Sequence, residues 1–333
     1  MMKIGVIGSG KFGIVLANIA AENGSQVLIY SRRPAEVDSI NCTMKSLSGH
    51  IFSNQLKLQA TNSSEDLNVC DVLIIALPSK DFRSCMENLK VDLTSKKLVS
   101  CTKGFEERTG MLMTEILAED FGVKKEQLFV LSGPNLSKEM LHKELTGTVV
   151  AGDDQDFIEK FCLAIKNDYF IPFSNEDRYG VELGGAMKNI YAIVSGYFHQ
   201  KGVGENTIGF LLTKSLEEIS IYSHARGANP STFLGLSGVG DFFSTALSKD
   251  SRNYQFGQNL ALGLSPEDSI VKLGDTVEGY LASKVVYEDT LKRGLNLKIL
   301  NFLMKVYGGQ VSRSDEKNIL VTNNIESDIK FNF

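Results

Sequence analysis

Short β-branched runs alternate with amphipathic segments from Lys3 to about Phe173. The runs are Ile4–Ile7, Gln26–Tyr30, Asp71–Ala76, Leu98–Cys101, Phe129–Leu131 and Thr148–Val150. Runs that stay apolar on successive positions belong to strands covered on both faces, and the helix-length segments between them predict a mostly parallel sheet with crossover helices. The first crossover helix is expected over Gly13–Glu22, where Ile14, Leu16, Ala17, Ile19 and Ala20 form the apolar stripe and Asn23-Gly24 ends it. After about Asp177 the strand signals nearly vanish. Helical periods then cover Val181–Phe198, Thr207–His224, Thr276–Lys292 and Ile299–Tyr307. The expected fold is α/β over residues 1–175 followed by an all-α domain over 176–333, with the boundary near Asn175 set by the change of period. The polar stretch Asn323–Phe333 reads as a frayed tail.

The first strand runs straight into Gly8-Ser-Gly10-Lys11-Phe12-Gly13 and then a helix. That context gives a GxGxxG its meaning: Gly8 for the tight turn, Gly10 for backbone approach to a pyrophosphate, Gly13 for close helix–strand packing, and free N–H groups at the helix start for the anion. Residues 1–175 are therefore read as a Rossmann-type dinucleotide-binding domain. The second strand, where an acid would take the adenosine ribose of NAD, ends instead in Tyr30-Ser31-Arg32-Arg33. Arginine pairs a 2′-phosphate, so the cofactor is NADP or NAD with NADPH favoured.

Length and composition narrow the classes. A chain of 333 residues suggests two domains, and its 43% hydrophobic and 23% charged content is ordinary for a globular protein. The net charge of −5 gives no general pull toward nucleic acid or anionic lipid. No apolar stretch is long enough to cross a bilayer, and the start of the chain lacks a signal-peptide pattern, so a cytoplasmic location is expected. Five cysteines without a CxxC pair read as free thiols, and four histidines without HExxH or HxH give no metal site.

Four clusters carry the remaining chemistry. Ser100-Cys-Thr-Lys103-Gly104 follows a strand and places Lys103 at the sheet's carboxyl edge. Ser132-Gly133-Pro-Asn135-Leu-Ser137-Lys-Glu139 follows the next strand. Gly184-Gly-Ala-Met-Lys188-Asn189 is expected to open the first helix of the second domain. Gly235-Leu-Ser-Gly-Val-Gly-Asp241 comes later, with Ser251-Arg252-Asn253 beyond it. In this order and spacing, together with the glycine fingerprint, YGVELGGAMKN and VEGY, they resemble bacterial NAD(P)-dependent glycerol-3-phosphate dehydrogenase from about residue 3 to about residue 310.

The resemblance implies hydride transfer between sn-glycerol 3-phosphate and dihydroxyacetone phosphate, a supply of glycerol 3-phosphate for phospholipids, and a homodimer. It makes Lys188 the proton acceptor from the substrate hydroxyl, has Lys103 touch both cofactor and substrate, and has Asp241 hold the lysine and substrate in place. A lysine base must lose its proton, which Lys103 and a cationic nicotinamide would favour and Asp241 would oppose, so Asp241 orients rather than activates. Ser251, Arg252 and Asn253 would hold the phosphate, with Gly133, Asn135 and Thr245 as further substrate contacts. Lys11, Phe12, Arg32, Arg33, Ser137, Arg252, Thr276 and Glu278 fall at cofactor positions. Asn135 and Leu136 depart from the family's hydroxyl residue and phenylalanine, from which altered affinity and unaltered chemistry are expected. A ketopantoate reductase, a hydroxyacid dehydrogenase and a non-catalytic dinucleotide sensor are the alternatives.

Overall fold

The computed structural model describes residues 2–53, 57–274 and 276–319; the expected tail, Asn323–Phe333, lies outside them. The chain divides into two compact units, one from the N-terminus to Glu106 together with Met111–Glu182, the other Glu107–Gly110 and the chain from Leu183 onward.

The first unit is built on one eight-stranded sheet. Its strands are β1 (Lys3–Ile7), β2 (Gln26–Tyr30), β3 (Leu58–Thr61), β4 (Val72–Ile75), β5 (Lys97–Ser100), β6 (Leu128–Ser132), β7 (Thr146–Gly152) and β8 (Phe170–Asn175), in the order β3-β2-β1-β4-β5-β6-β7-β8. Every pairing is parallel except β6 with β7. The helices α1 (Lys11–Glu22), α2 (Pro34–Thr43), α3 (Ser79–Glu87), α4 (Met113–Glu119), α5 (Ser137–Leu141) and α6 (Gln155–Ile165) connect them. β4 shows why the strands read as unbroken apolar runs. Val72 and Ile74 enter the core that contains Ile14, Leu16 and Phe161 of α1 and α6, whereas Leu73 and Ile75 enter the core that contains Phe82, Met113 and Ile116 of α3 and α4. Two strands, β3 and β8, are additional to those expected, and α1 begins two residues before Gly13.

Helix α7 (Arg178–Gln200) starts in the first unit and continues into the second. The second unit adds α8 (Glu205–Ala225), α9 (Asp241–Ala246), α10 (Arg252–Ala261), α11 (Pro266–Leu273), α12 (Glu278–Arg293), α13 (Lys298–Tyr307) and α14 (Arg313–Asn318). Local chemistry sets several of these ends. Ser265 caps α11 by accepting from the Asp268 N–H, Pro266 follows it, and Gly274 closes the helix in the left-handed region. Among the described residues no helix is long and apolar enough to cross a membrane.

Candidate functional site

In the first unit the three glycines each meet a different constraint. Gly8 has φ +113°, and a Cβ on it would stand 2.4 Å from the Ala76 carbonyl oxygen. A Cβ on Gly13 would stand 2.2 Å from the Gly8 oxygen, so the start of α1 sits directly on the loop. Around Gly10 nothing lies within 4 Å. Two glycines thus close the turn, and the third faces open space at a helix start that has neither a side-chain cap nor an acid in its first turn. These residues fit a pyrophosphate.

A cleft of about 190 Å³ continues from this loop, lined by Ser9, Ser31, Arg32, Arg33, Leu77 and Pro78 among others. The two arginines are not equivalent. Arg33 donates to the Ser9 carbonyl (3.3 Å) and hydroxyl (3.1 Å), and pairs with Glu36 at 3.2 Å. Glu36 is fully buried. The Ser9 and Ser31 hydroxyls lie 2.8 Å apart, so the loop, the end of β2 and Arg33 form one bonded cluster. Arg32 is exposed and makes no ion pair among the described residues. Cys85 closes the cleft behind it, its thiol pushed up by burial.

The carboxyl edge of the sheet gathers a second group. Thr102 donates to the Leu77 carbonyl at 2.8 Å, and Lys103 Nζ donates to the Gly133 carbonyl at 2.9 Å. Gly133, with φ +150°, crosses so close to β7 that a Cβ would stand 3.1 Å from Thr148 Cα. Asn135 donates to the Thr148 hydroxyl at 2.9 Å, which in turn donates to the Ser132 carbonyl at 3.2 Å. Ser137 opens the short helix α5. Behind Lys103, burial pushes the Cys101 thiol up to about 12, the state of an inert core cysteine.

The second unit holds the other lysine. Gly184–Asn189 lies in the interior of α7 rather than at its start, a correction to the sequence expectation: Gly184 serves close packing, since a Cβ there would stand 3.2 Å from the Ser237 carbonyl oxygen. Lys188 is 6% exposed, and its ammonium bonds the Asp241 carboxylate, itself 1% exposed, and the Thr245 hydroxyl at 2.7 Å. Thr245 gives its single proton to the Asp241 carbonyl at 2.7 Å, so toward Lys188 it accepts. One π-helical turn, Leu236–Gly240, delivers Asp241 to the first position of α9.

The residues expected around the phosphate form a further group. Ser251 caps α10, Arg252 stands exposed in its first turn, and no acid lies in that turn. Asn253 donates to Asn189 Oδ1 and accepts from the Gly279 N–H, both at 2.9 Å, while Asn189 donates to Glu278 at 3.3 Å. Three helices are tied here, and Thr276 lies two residues before the last of them. Glu36, Thr148 and Asn189 escaped the sequence reading. Asn189 adjoins Lys188 and Glu36 follows Arg33 by one helical turn, so both had local signals, whereas Thr148 had none.

Comparison with known proteins gives a consistent result. The family described as NAD-dependent glycerol-3-phosphate dehydrogenase N-terminus matches residues 3–158, and its C-terminus counterpart matches residues 177–316. A glycerol-3-phosphate dehydrogenase (NAD(P)+) of Pseudomonas fluorescens SBW25 is 40% identical over 300 residues, covering 89% of this chain and 87% of its own. One from Pseudomonas aeruginosa LESB58 is 40% identical over 288 residues, covering 86% and 84%. Among solved structures, glycerol-3-phosphate dehydrogenase from Coxiella burnetii superposes with TM-score 0.83 at 24% identity, covering 96% of this chain and 97% of the other. A 2-dehydropantoate 2-reductase from Geobacter metallireducens gives 0.58 at 11% identity, covering 93% and 100%. At these identities the solved structures speak for the fold.

Proposed function

We propose a mechanism for a chain that belongs to the NAD-dependent glycerol-3-phosphate dehydrogenase family, to which both of its halves and its 40% identical relatives assign it. It is an oxidoreductase that interconverts sn-glycerol 3-phosphate and dihydroxyacetone phosphate with NAD or NADP, in a role that serves phospholipid synthesis. The nicotinamide, when bound, exchanges a hydride with C2 of the substrate.

The observation that carries the residue assignment is Lys188 held between Asp241 and Thr245 in a buried cluster. The Asp241 carboxylate favours the ammonium form, so Lys188 stands ready to give a proton to the C2 oxygen as the ketone is reduced, and to take it back in oxidation. Thr245 and Asp241 together fix the direction of that proton. Lys103, anchored on Gly133, supplies the second positive charge and touches substrate and cofactor. Ser251 and Arg252 take the phosphate at the start of α10, where a guanidinium fork meets a dianion at a helix start with no acid in its first turn. Asn253 steadies this turn through Asn189 and Gly279 and keeps one amide hydrogen for the phosphate. Gly133 and Asn135 complete the substrate contacts. Gly8, Gly10, Lys11, Phe12 and Gly13 hold the pyrophosphate end of the cofactor, Arg32 and Arg33 the adenosine end, and Ser137, Arg252, Thr276 and Glu278 further parts of it. Residues 1–175 thereby hold most of the dinucleotide and 176–333 the proton-transfer and phosphate groups, with Lys103, Gly133 and Asn135 of the first reaching the substrate and Arg252, Thr276 and Glu278 of the second reaching the cofactor.

The same reading takes in a homodimer in the cytoplasm that binds no nucleic acid, in keeping with the family resemblance, the free-thiol pattern of the cysteines and the net charge of −5. The test is oxidation of NADPH with dihydroxyacetone phosphate, with ketopantoate, and with no ketone. Turnover confined to dihydroxyacetone phosphate supports the reading. Turnover with ketopantoate, or with neither, returns one of the alternatives.

A further inference from the structure

Position 135 holds asparagine where the family resemblance places a hydroxyl residue, and the structure gives that asparagine a fixed polarity. Thr148 is fully buried. Its hydroxyl carries one hydrogen, and that hydrogen goes to the Ser132 carbonyl at 3.2 Å. Toward Asn135 it therefore accepts, so the group that Asn135 turns to it at 2.9 Å is the NH₂. The amide oxygen is left facing away, buried and without a hydrogen-bond partner among the described residues. An unsatisfied buried acceptor of this kind invites a ligand donor. It stands beside Gly133, 3.6 Å from where a Cβ on that residue would lie, and the Gly133 carbonyl is the anchor of Lys103.

We infer that Thr148 is a positioning residue, which turns the amide of Asn135 into an acceptor dedicated to the primary hydroxyl at C1 of the substrate. The inference rests on the functional reading above. The C2 carbonyl and the phosphate oxygens of dihydroxyacetone phosphate accept hydrogen bonds, and its C1 hydroxyl is the one carbon-bound donor the ketone offers. In glycerol 3-phosphate the C2 hydroxyl also has a proton, but that proton is the one Lys188 takes. A serine or threonine hydroxyl rotates to donate or accept, whereas the oxygen of an amide pinned by Thr148 only accepts. The corner thus selects a hydroxylated ketone.

The experiment compares kcat/KM for dihydroxyacetone phosphate with that for hydroxyacetone phosphate, which replaces the C1 hydroxyl by hydrogen. Wild type should prefer the hydroxylated ketone by about tenfold to a hundredfold, the range for an unmade hydrogen bond to a buried acceptor. Thr148→Val is nearly isosteric and removes the acceptor that pins the amide. It should bring the ratio down by about tenfold, chiefly through KM for dihydroxyacetone phosphate, with NADPH affinity unchanged. Thr148→Ser should restore the ratio, a rescue that a purely structural role would not produce. If Thr148→Val does not fold, Asn135→Leu carries the same expectation with the strand intact. An undiminished ratio in a folded Thr148→Val or Asn135→Leu enzyme, or a wild type indifferent to the C1 hydroxyl, overturns the inference while leaving the dehydrogenase reading in place. A wild type inactive on both ketones overturns the dehydrogenase reading itself.

Discussion

Replacing Asp241 with asparagine isolates the charge of the buried pair. The side chain keeps its size and can still accept from Lys188 Nζ, so the hydrogen bond survives while the negative charge goes. Which energy scale applies is decided by burial. Exposed ion pairs contribute about 0 to 1 kcal/mol. Lys188 and Asp241 are 6% and 1% exposed, and stranding one partner of such a pair costs about 3 to 5 kcal/mol. Two responses are open to the variant. It bears that cost in folding free energy, or Lys188 gives up its proton and with it the role of acid in ketone reduction. Loss of positioned acid catalysis amounts to about 10²- to 10⁴-fold in kcat. Asp241→Asn is therefore expected to cut kcat for dihydroxyacetone phosphate reduction at neutral pH by at least about 10²-fold. A variant that keeps its stability has taken the second response, and part of its rate should then return as pH falls and the lysine is recharged. The assay is NADPH oxidation across pH, run beside urea unfolding of the same samples. Wild-type kcat at neutral pH together with unchanged stability would refute the reasoning.

Arg252→Ala should weaken dihydroxyacetone phosphate by about 2 to 5 kcal/mol in kcat/KM and leave unphosphorylated dihydroxyacetone nearly unaffected; equal proportional losses on both substrates would contradict the phosphate assignment. Because Arg33 is held by Ser9 and Glu36 whereas Arg32 makes no ion pair among the described residues, Arg32→Asp should lower kcat/KM for NADPH far more than for NADH, and more than Arg33→Asp does; a wild-type preference for NADH, or NADPH kinetics untouched by both changes, would end the argument for a 2′-phosphate. Glu218 accepts from the N–H groups of Ile299 and Leu300 and from Tyr191, and burial pushes its carboxyl up from 4.5 to about 7. Its stabilising contribution is complete below about pH 4.5 and is lost as pH rises through 7, at a cost of about 3 kcal/mol once ionised. Urea midpoints of wild type and Glu218→Gln should accordingly converge or cross between pH 5 and 8, and parallel pH slopes would count against it.

The nucleotide loop was legible because strand, glycine turn and helix are contiguous, and each glycine answers a local constraint. The edges of the sheet were not. β3 is short and turns Gln59 to solvent, and β8 carries Pro172 with mixed burial, so neither shows the unbroken apolar run of the inner strands. The reversed direction of β7 depends on which strand lies beside it, and no window of sequence contains that. Gly184-Gly185 suggested a helix start because glycine weakens a helix interior by about 1 kcal/mol each. Tertiary packing prevails there, since the missing side chain admits Ser237 and Phe233 against α7. The Lys188–Asp241–Thr245 group was anticipated in its members, while the hydroxyl geometry that makes Thr245 an acceptor depends on the fold. Thr148 lay hidden as an ordinary strand residue, because its importance comes from facing Asn135 across a turn.

The strand order also has a dimension in time. β1 is made before the other strands of this sheet, yet it lies inside the sheet, with β2 on one side and β4 on the other. Its second neighbour pairs Ile4 with Val72, sixty-eight residues downstream. At about 5 to 20 residues per second, translation takes roughly 3 to 14 seconds to cover that span. For that interval a wholly apolar edge, Ile4 to Ile7, has no native partner on one side and is open to pairing with other nascent chains. The strand that carries the cofactor loop is thus the one that waits longest for its second neighbour, and slowed translation between Tyr30 and Val72 would lengthen its exposure.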